Sequence, residues 1–210
     1  MKLYVEGGGD SNALRTACRE GFTTFITKAG LAKRPRVVAC GSRTEAFDSF
    51  CTAITHGEES LLLVDSEAAV PEACQQPTDN PMAWKPWTHL RLRAGDGWTP
   101  PDAAADTDCH LMAQCMETWF LADRDTLARF FGHGFRTKDL PDATNPIESV
   151  AKTEIYRALV RATRDCKTKN AYGKGEHSFK LLAAIDPAKV TAASPWAKRF
   201  VDSLKAKMTP

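Results

Sequence analysis

Apolar residues near the start of the chain alternate between short continuous runs and sets spaced as on one face of a helix. The continuous runs predict β-strands at residues 2–5, 36–40 and 61–64. Helical spacing predicts one helix after the capping residues 10–12 and a second over residues 46–54. The run at 61–64 contains no polar residue, which is typical of a strand covered on both faces of a parallel sheet. This alternation of strands and helices predicts an α/β fold.

The residues after the third predicted strand are assigned mainly to helices. Residues 71–101 are rich in proline and tryptophan and predict an irregular insertion with a short strand at 89–92. Its tryptophans need a surface to pack on, so the segment is not expected to be a flexible linker. Helical spacing then predicts a buried helix over residues 110–131, with a short strand at its start left open. Further helices are predicted over residues 147–163, through 179–182 and from Ser194 and Pro195 onward.

These elements divide the chain into two predicted regions of opposite charge. Residues 1–135 form a core that includes the insertion at about 70–101, and residues 136–210 form a helical, basic region packed on it. Residues 151–210 carry 13 Lys and Arg against 5 Asp and Glu, a net charge of +8, whereas the chain as a whole has +2. Two interpretations stay open for the basic end: a solvated helical surface, or a surface that contacts phosphates.

The composition excludes several classes of protein. With 210 residues, 43% of them hydrophobic, the chain is expected to form one soluble domain. No apolar run approaches the roughly 18 residues that a membrane-spanning helix needs, and Met1 leads directly into the first predicted strand without a signal-like segment. The seven cysteines are scattered without a C-x-x-C pair, which argues against a zinc site and favours buried, inert thiols. We therefore expect a cytoplasmic protein with no membrane partner.

Three carboxylates follow the predicted strands at the edge where the strands end. Asp65 and Glu67 come directly after the third strand, and residues two apart in an extended chain point to the same side. Glu6 follows the first strand, and ligands of open α/β sheets bind outside the carboxyl ends of the strands. Hard carboxylate oxygens suit Mg²⁺ or Mn²⁺, which would also neutralise the like charges. The sequence therefore predicts a metal site at this edge.

Two glycine-containing segments have no ATP-binding signature. Gly7–Gly9 either allows a ligand to approach the backbone or is only a turn. Neither this run nor residues 172–175 matches the phosphate-binding loop of ATPases, so the chain is not expected to hydrolyse ATP by itself.

Several segments carry a resemblance to known proteins. VEGGGD at residues 5–10, LLVDSE at residues 62–67 and the order of elements between them resemble the TOPRIM fold of topoisomerases, primases and overcoming-lysogenization-defect nucleases. Residues 114–123, 145–148 and 172–175 resemble a prokaryotic TOPRIM-like family of unknown function, often encoded beside ATPases of the ABC or structural-maintenance type in phage defence. The resemblance covers most of the chain and is most specific around Glu117. It implies a Rossmann-like, mostly parallel sheet flanked by helices, followed by a helical C-terminal region.

The resemblance implies a nuclease that cleaves phosphodiester bonds with Mg²⁺ or Mn²⁺. Glu6 matches the family's glutamate, a general acid/base or metal ligand. Asp65 and Glu67 match its metal-binding acidic pair, with Glu67 in place of the usual aspartate. Magnesium is expected to polarise the phosphate, and a second ion to activate the attacking water. Lys174 is the candidate for stabilising the charge that develops on the phosphate, the alternative being a surface loop lysine.

Three further residues, Asp10, Gln114 and Glu117, are expected in a second shell around the metal. Gln114 and Glu117 are three apart and are predicted to share one helical face. Glu117 lies among apolar residues, so its carboxylate is either structural, bonded to an arginine or a backbone amide, or directed at the metal cleft. His133 and His177 are interpreted as loop or helix-cap residues rather than as a catalytic base.

Among TOPRIM activities, the sequence favours a nuclease. The chain is too short for the strand-passage domain of a topoisomerase, and its cysteine spacing does not fit the zinc module expected of a bacterial-type primase. The predicted function is cleavage of DNA or RNA as effector of an ATPase-linked antiphage system, with the oligomeric state left open. One alternative is a non-catalytic module docked on the ATPase through exposed tryptophans of the insertion. Another is a phosphohydrolase that acts on a small nucleotide.

Overall fold

Four strands and eight α-helices make up the part of the chain that the structure, a computed structural model, describes, residues 1–208. The strands are β1 (Lys2–Gly8), β2 (Arg36–Gly41), β3 (Ser60–Asp65) and β4 (Cys109–Met112). The first four helices are α1 (Asn12–Lys28), α2 (Arg43–Thr55), α3 (Pro86–Leu92) and α4 (Arg124–Phe131). The last four are α5 (Lys152–Thr163), α6 (Lys174–Ala184), α7 (Pro187–Ala193) and α8 (Pro195–Met208).

The strands form one sheet in the order β2-β1-β3-β4, and every neighbouring pair is parallel. The predicted α/β fold, a parallel sheet flanked by helices with a helical C-terminal region, is therefore confirmed. Parallel neighbours require crossover connections, so the carboxyl ends of all four strands lie at the same edge of the sheet.

Successive residues of the central strands pack into two different hydrophobic clusters. On β3, Leu61 and Leu63 belong to the first cluster and Leu62 and Val64 to the second. The first cluster also contains apolar residues of α1, α5, α6 and α8, and the second those of α2 and the insertion. Every residue of β3 is buried, as its continuous apolar run predicts for a strand covered on both faces.

Helix caps place the starts of several helices as the sequence indicates. The Ser11 hydroxyl accepts a hydrogen bond from the Leu14 amide at the start of α1, and Ser194 does the same for the Ala197 amide at the start of α8. Among the described residues, no helix is both long enough and apolar enough to cross a bilayer.

Two predicted elements differ from the structure. The stretch at residues 89–92, in which polar and apolar residues alternate, is the second half of helix α3, not a strand; α3 begins at Pro86, a residue that fits the first position of a helix. The helix predicted over residues 110–131 is divided: the short strand left open at its start is formed as β4, and a 3₁₀ helix over Met116–Ala122 and helix α4 follow it. The chain turns between β4 and the 3₁₀ helix, where Gln114 has a positive φ of 62°.

The insertion between β3 and β4 packs on the sheet through its tryptophans. Trp84, Trp87 and Trp98 are buried in the second cluster, as their need for a packing surface predicts. Trp98 stacks on Phe47 of α2 at a centroid distance of 4.4 Å. The exposed tryptophans on which the docking alternative depended are therefore absent from this segment, and the insertion acts as a cover for α2 and β4.

Candidate metal centre at the carboxyl edge of the sheet

The three predicted carboxylates meet at the carboxyl edge of the sheet. Glu6 lies near the end of β1, and Asp65 is the last residue of the neighbouring strand β3. One carboxylate oxygen from each of Glu6, Asp65 and Glu67 lies within 4.8 Å of the others. A Glu6 oxygen also accepts a hydrogen bond from the Asp65 amide at 3.0 Å, which fixes the two strand ends together.

Glu67 reaches the cluster by a turn rather than by continuing the strand. The prediction from extended geometry is wrong in this respect, because β3 ends at Asp65 and Glu67 has a positive φ of 65°. The Glu67 amide donates to the carbonyl of Gln114, which also has a positive φ. The Gln114 amide in turn donates to the Ser66 hydroxyl at 2.7 Å. Two residues in the left-handed region, uncommon for non-glycine residues, thus hold the loops after β3 and β4 together.

The electrostatic environment of Asp65 disfavours its charged form. The residue is 3% exposed, and burial followed by repulsion from Glu6 raises the pKa of Asp65 to about 7. Burial also raises the pKa of Glu6, against the opposing attraction of Arg43. Asp65 is nevertheless tightly held, because its two oxygens accept hydrogen bonds from the Met116 amide at 2.9 Å and from Lys152.

Lys152 lies between two of the three carboxylates. Its ammonium is 3.0 Å from Asp65 and 2.5 Å from Glu67. Burial lowers the pKa of Lys152, but its two carboxylate partners outweigh burial and raise that pKa. The ammonium is therefore charged and neutralises part of the cluster.

Arg43 is the second cation of the site and is held by the insertion. Its guanidinium lies 3.3 Å from Glu6 and donates to the Asp65 carbonyl at 2.6 Å. Two further hydrogen bonds, of 3.0 and 2.7 Å, join it to the buried carboxylate of Asp96, and its plane lies over Trp98. Asp96 and Trp98 both belong to the proline- and tryptophan-rich insertion, which therefore orients a residue of the site.

The donor set of the cluster fits a hard divalent cation. Carboxylate oxygens are the ligands that Mg²⁺ and Mn²⁺ prefer. Three carboxylates converge here against two cations, and burial together with repulsion from Glu6 raises the pKa of Asp65 despite the nearby Lys152. Glu6, Asp65 and Glu67 thus form an acidic triad that could hold a metal ion.

A pocket of about 350 Å³ opens beside the triad and contains Lys174 in its lining. Glu6, Asp65 and Glu117 lie along the same lining. The Lys174 ammonium is 5.5 Å from the ring centroid of Tyr156 and forms no ion pair with any residue of the described part of the chain. The structure thus places Lys174 at the same pocket as Glu6 and Asp65, two of the three predicted metal ligands, with a cation left available there.

Glu117 lies in the pocket wall as a buried carboxylate held by hydroxyl groups. One oxygen accepts hydrogen bonds from Tyr172 at 2.9 Å and Ser178 at 3.0 Å, and the other from Tyr156 at 3.1 Å. The predicted structural partners, an arginine or a backbone amide, are replaced by these three hydroxyls. They come from α5, α6 and the loop before α6, so Glu117 ties these segments to the 3₁₀ helix.

The side chains of the other predicted residues form no hydrogen bond with the three carboxylates of the described chain. Gln114 precedes the 3₁₀ helix, so the predicted face shared with Glu117 is not formed, and its side chain donates to the Glu148 carbonyl at 3.2 Å. Asp10 is exposed and lies outside the pocket lining. His177 accepts a hydrogen bond from the Gly173 amide through its ring, which is the cap role expected of it.

Sequence reasoning missed Lys152 and Arg43, although one signal was available. Arg43, Lys152 and Lys174 are each the first residue of a helix, α2, α5 and α6. The helix dipole disfavours a cation at this position and favours an acidic residue. Three cations in this unfavourable position suggest that each has an acidic partner or ligand elsewhere.

All seven cysteines are free thiols. Burial raises the pKa of Cys18 to about 12 and of Cys40 to about 11, so these thiols stay protonated and inert, as predicted.

Comparison with known proteins gives a family but no activity. Neither a curated protein nor a solved structure matches the chain significantly. One family model matches residues 5–205 and is described as "Domain of unknown function (DUF4276)". The match covers nearly the whole chain, from the strand before Glu6 to the last helix, and the chain therefore belongs to this family.

Proposed function

We propose that the protein is a metal-dependent nuclease that hydrolyses phosphodiester bonds in DNA or RNA, with Mg²⁺ or Mn²⁺ held by Glu6, Asp65 and Glu67. The observation that carries the proposal is the convergence of these carboxylate oxygens within 4.8 Å beside a pocket that contains an unpaired lysine. A bound divalent cation supplies Lewis acidity to a phosphate oxygen and lowers the pKa of a bound water.

Each residue of the site has a separate role in the proposed reaction. Asp65 and Glu67 are the principal ligands, and the hydrogen bond from the Asp65 amide to the Glu6 carboxylate fixes the separation of Glu6 and Asp65. Arg43, itself held by Asp96, orients Glu6 and the Asp65 carbonyl. Lys174 is positioned to stabilise negative charge on the phosphate as the bond to the leaving oxygen breaks.

Cations around the triad are needed before a polyanion can approach it. Three acidic side chains at one point repel phosphates, but Arg43, Lys152 and Lys174 surround them. Several basic residues of the C-terminal helices are already paired with acids, such as Lys198 with Asp202. The phosphate-contacting interpretation of this region thus depends on its unpaired cations.

The alternatives stand differently. A phosphohydrolase that acts on a small nucleotide is favoured by the size of the pocket, since 350 Å³ is within the range of small-ligand sites. The docking alternative loses its argument because the insertion tryptophans are buried. The ATPase partner, the phage-defence role and the cytoplasmic location are inferred from the sequence alone and stay predictions.

The test is a cleavage assay with purified protein on plasmid DNA, single-stranded DNA and tRNA, in Mg²⁺, Mn²⁺ or EDTA. Cleavage should require metal, and Asp65→Asn and Glu6→Gln should each slow it by at least about a hundredfold, more than outer-shell changes at metal sites typically do. Asp125→Asn, which removes an acid that is 79% exposed and lies outside the pocket lining, is the matched control and should cleave normally. Cleavage that persists in EDTA or in Asp65→Asn would contradict the proposal.

A further inference from the structure

The pocket beside the triad is apolar away from its charged edge. Glu6, Asp65, Glu117 and Lys174 provide its charged groups. The rest of the lining consists of apolar side chains and glycine backbone: Leu14, Met112, Met116, Phe179, Gly7–Gly9, Gly41 and Gly175. A ligand that fills the pocket must therefore combine an anionic group with an apolar part.

Part of this lining is backbone without side chains, which leaves a smooth surface. A Cβ on Gly7 would lie 3.1 Å from the ring of Phe179, so glycine is required for the ring to sit at this wall. An aromatic ring next to bare backbone and polarisable methionine sulphur suits a flat ring in the ligand.

Gly175 leaves one side of the pocket open but lowers the stability of its helix. It is the second residue of α6, where glycine is less stable than alanine. A Cβ there would meet only Leu14, at ordinary contact distances of 3.8 and 3.9 Å, so packing does not require glycine at this position. Leu14 is itself a pocket residue, and a larger side chain at 175 would take up space in front of it.

We propose that this pocket binds a single unstacked nucleotide, with its base against Phe179 and Met116 and its phosphate between Lys174 and the acidic triad. The size of the pocket, about 350 Å³, fits one such unit and not a stacked base pair. Lys174 supplies an unpaired cation at the charged edge, and base stacking on apolar and aromatic walls is independent of sequence. This inference rests on the proposed function for the identity of the phosphate ester.

The assignment limits the substrate to nucleic acid with a base out of the stack, or to a free nucleotide. A base within a duplex would first have to leave its stack, which costs energy. Single strands are therefore bound and cleaved in preference to duplexes, and sequence preference is weak.

Direct binding tests the pocket apart from catalysis. Calorimetric titrations in EDTA and in Mg²⁺ would use AMP and UMP, with ribose 5-phosphate as the ligand without a base. A twelve-nucleotide single strand and its duplex counterpart would be titrated in EDTA only, where the proposed nuclease is inactive. The monophosphates carry no phosphodiester bond, so the nuclease does not consume them in Mg²⁺, and an assay for released phosphate checks that they stay intact. AMP and UMP should bind about tenfold more tightly than ribose 5-phosphate, the contribution of one stacked base.

Two substitutions at one position give the matched control. Gly175→Leu should weaken AMP binding by at least about tenfold because its side chain fills the base site. Gly175→Ala should fold at least as stably as the parent and bind with little change. Lys174→Met should weaken the binding of AMP but leave the binding of adenosine unchanged. Equal binding of AMP and ribose 5-phosphate, or unchanged AMP binding by a folded Gly175→Leu variant, would overturn the proposal.

The two proposals fail separately. Pocket-dependent AMP binding without cleavage of any polymer would keep the nucleotide site and overturn the nuclease. Metal-dependent cleavage that is unaffected by Gly175→Leu would keep the nuclease and overturn the nucleotide site. Tight binding of AMP but not of the single strand would assign the site to a free nucleotide.

Discussion

Asp65 and Glu117 are both buried carboxylates in the wall of one pocket, yet their surroundings are opposite in character. Asp65 faces two other carboxylates and a lysine, and its pKa is raised to about 7. Glu117 is fully buried and faces three hydroxyl groups that donate to it. The first carboxylate lies among like charges, while the second lies among oriented dipoles.

This difference indicates which carboxylate is suited to bind a cation. Repulsion around Asp65 is relieved when a divalent cation binds, so the fold holds a site in which charge is incompletely compensated. Glu117 already has its oxygens satisfied, so it gains little from a cation and serves to hold α5 and α6 against the sheet edge. The surroundings of Asp65 thus suit a cation, whereas those of Glu117 suit a supporting role.

Removal of each carboxylate should therefore affect stability differently. We expect Glu117→Ala to lower the free energy of unfolding by about 3 kcal/mol, because it leaves buried hydroxyls without an acceptor and opens a cavity. In a domain of this size the melting temperature should fall by about 6–12 °C. The free energy of unfolding of Asp65→Asn, measured at pH 8 in EDTA, should lie within about 1 kcal/mol of that of the parent, since the substitution removes a disfavoured charge. Equal destabilisation by the two variants would contradict the comparison.

The raised pKa of Asp65 makes the stability of the protein depend on pH. The pKa of Asp65 is raised in the folded protein, so between its ordinary value of 3.8 and about 7 the native state holds a proton that the unfolded chain has released. Raising the pH through this range therefore favours unfolding, by about 2 kcal/mol between pH 5 and 7.

Urea denaturation in EDTA at several pH values measures this effect. Burial lowers the pKa of His89, His110 and His177. Their contribution to the free energy of unfolding therefore rises with pH and partly masks the fall caused by Asp65. The comparison with Asp65→Asn isolates the carboxylate, because the histidines are common to both proteins. Parallel stability curves for the two proteins would show that Asp65 titrates normally.

The acidic half of the site could be predicted from the sequence, and the basic half could not. The apolar run that forms β3 marks the strand by itself, and the acids that follow it are local in the chain. Lys152 contacts Asp65 from 87 positions away, and Arg43 is oriented by Asp96 of an irregular insertion. Such contacts depend on tertiary packing, which periodicity does not reveal.

Local geometry explains the remaining differences. In residues 89–92 polar and apolar residues alternate as in a strand, but Pro86 starts a helix just before them. The turn at Gln114 interrupts a long apolar segment that has helical spacing on both sides. With the helix starts correctly placed, the sequence alone would show a cation at the first residue of three helices. The predicted start of α5 is residue 147, whereas the helix begins at residue 152.

Replacing Lys152 tests, with the smallest expected effect, whether the surroundings of Asp65 suit a cation as those of Glu117 do not. Its ammonium occupies the space between Asp65 and Glu67 where a shared cation would bind, so the two compete. We expect Lys152→Met to bind Mn²⁺ about fivefold more tightly, because breaking a partly exposed ion pair accounts for about 1 kcal/mol. Lys174→Met, which removes a lysine with no ion pair to either carboxylate, should change Mn²⁺ affinity less. Manganese titration followed by electron paramagnetic resonance measures both. Weaker metal binding by Lys152→Met would mean that the lysine holds the two carboxylates in place for the ion, and the pairing that the structure shows would then be part of the metal site itself.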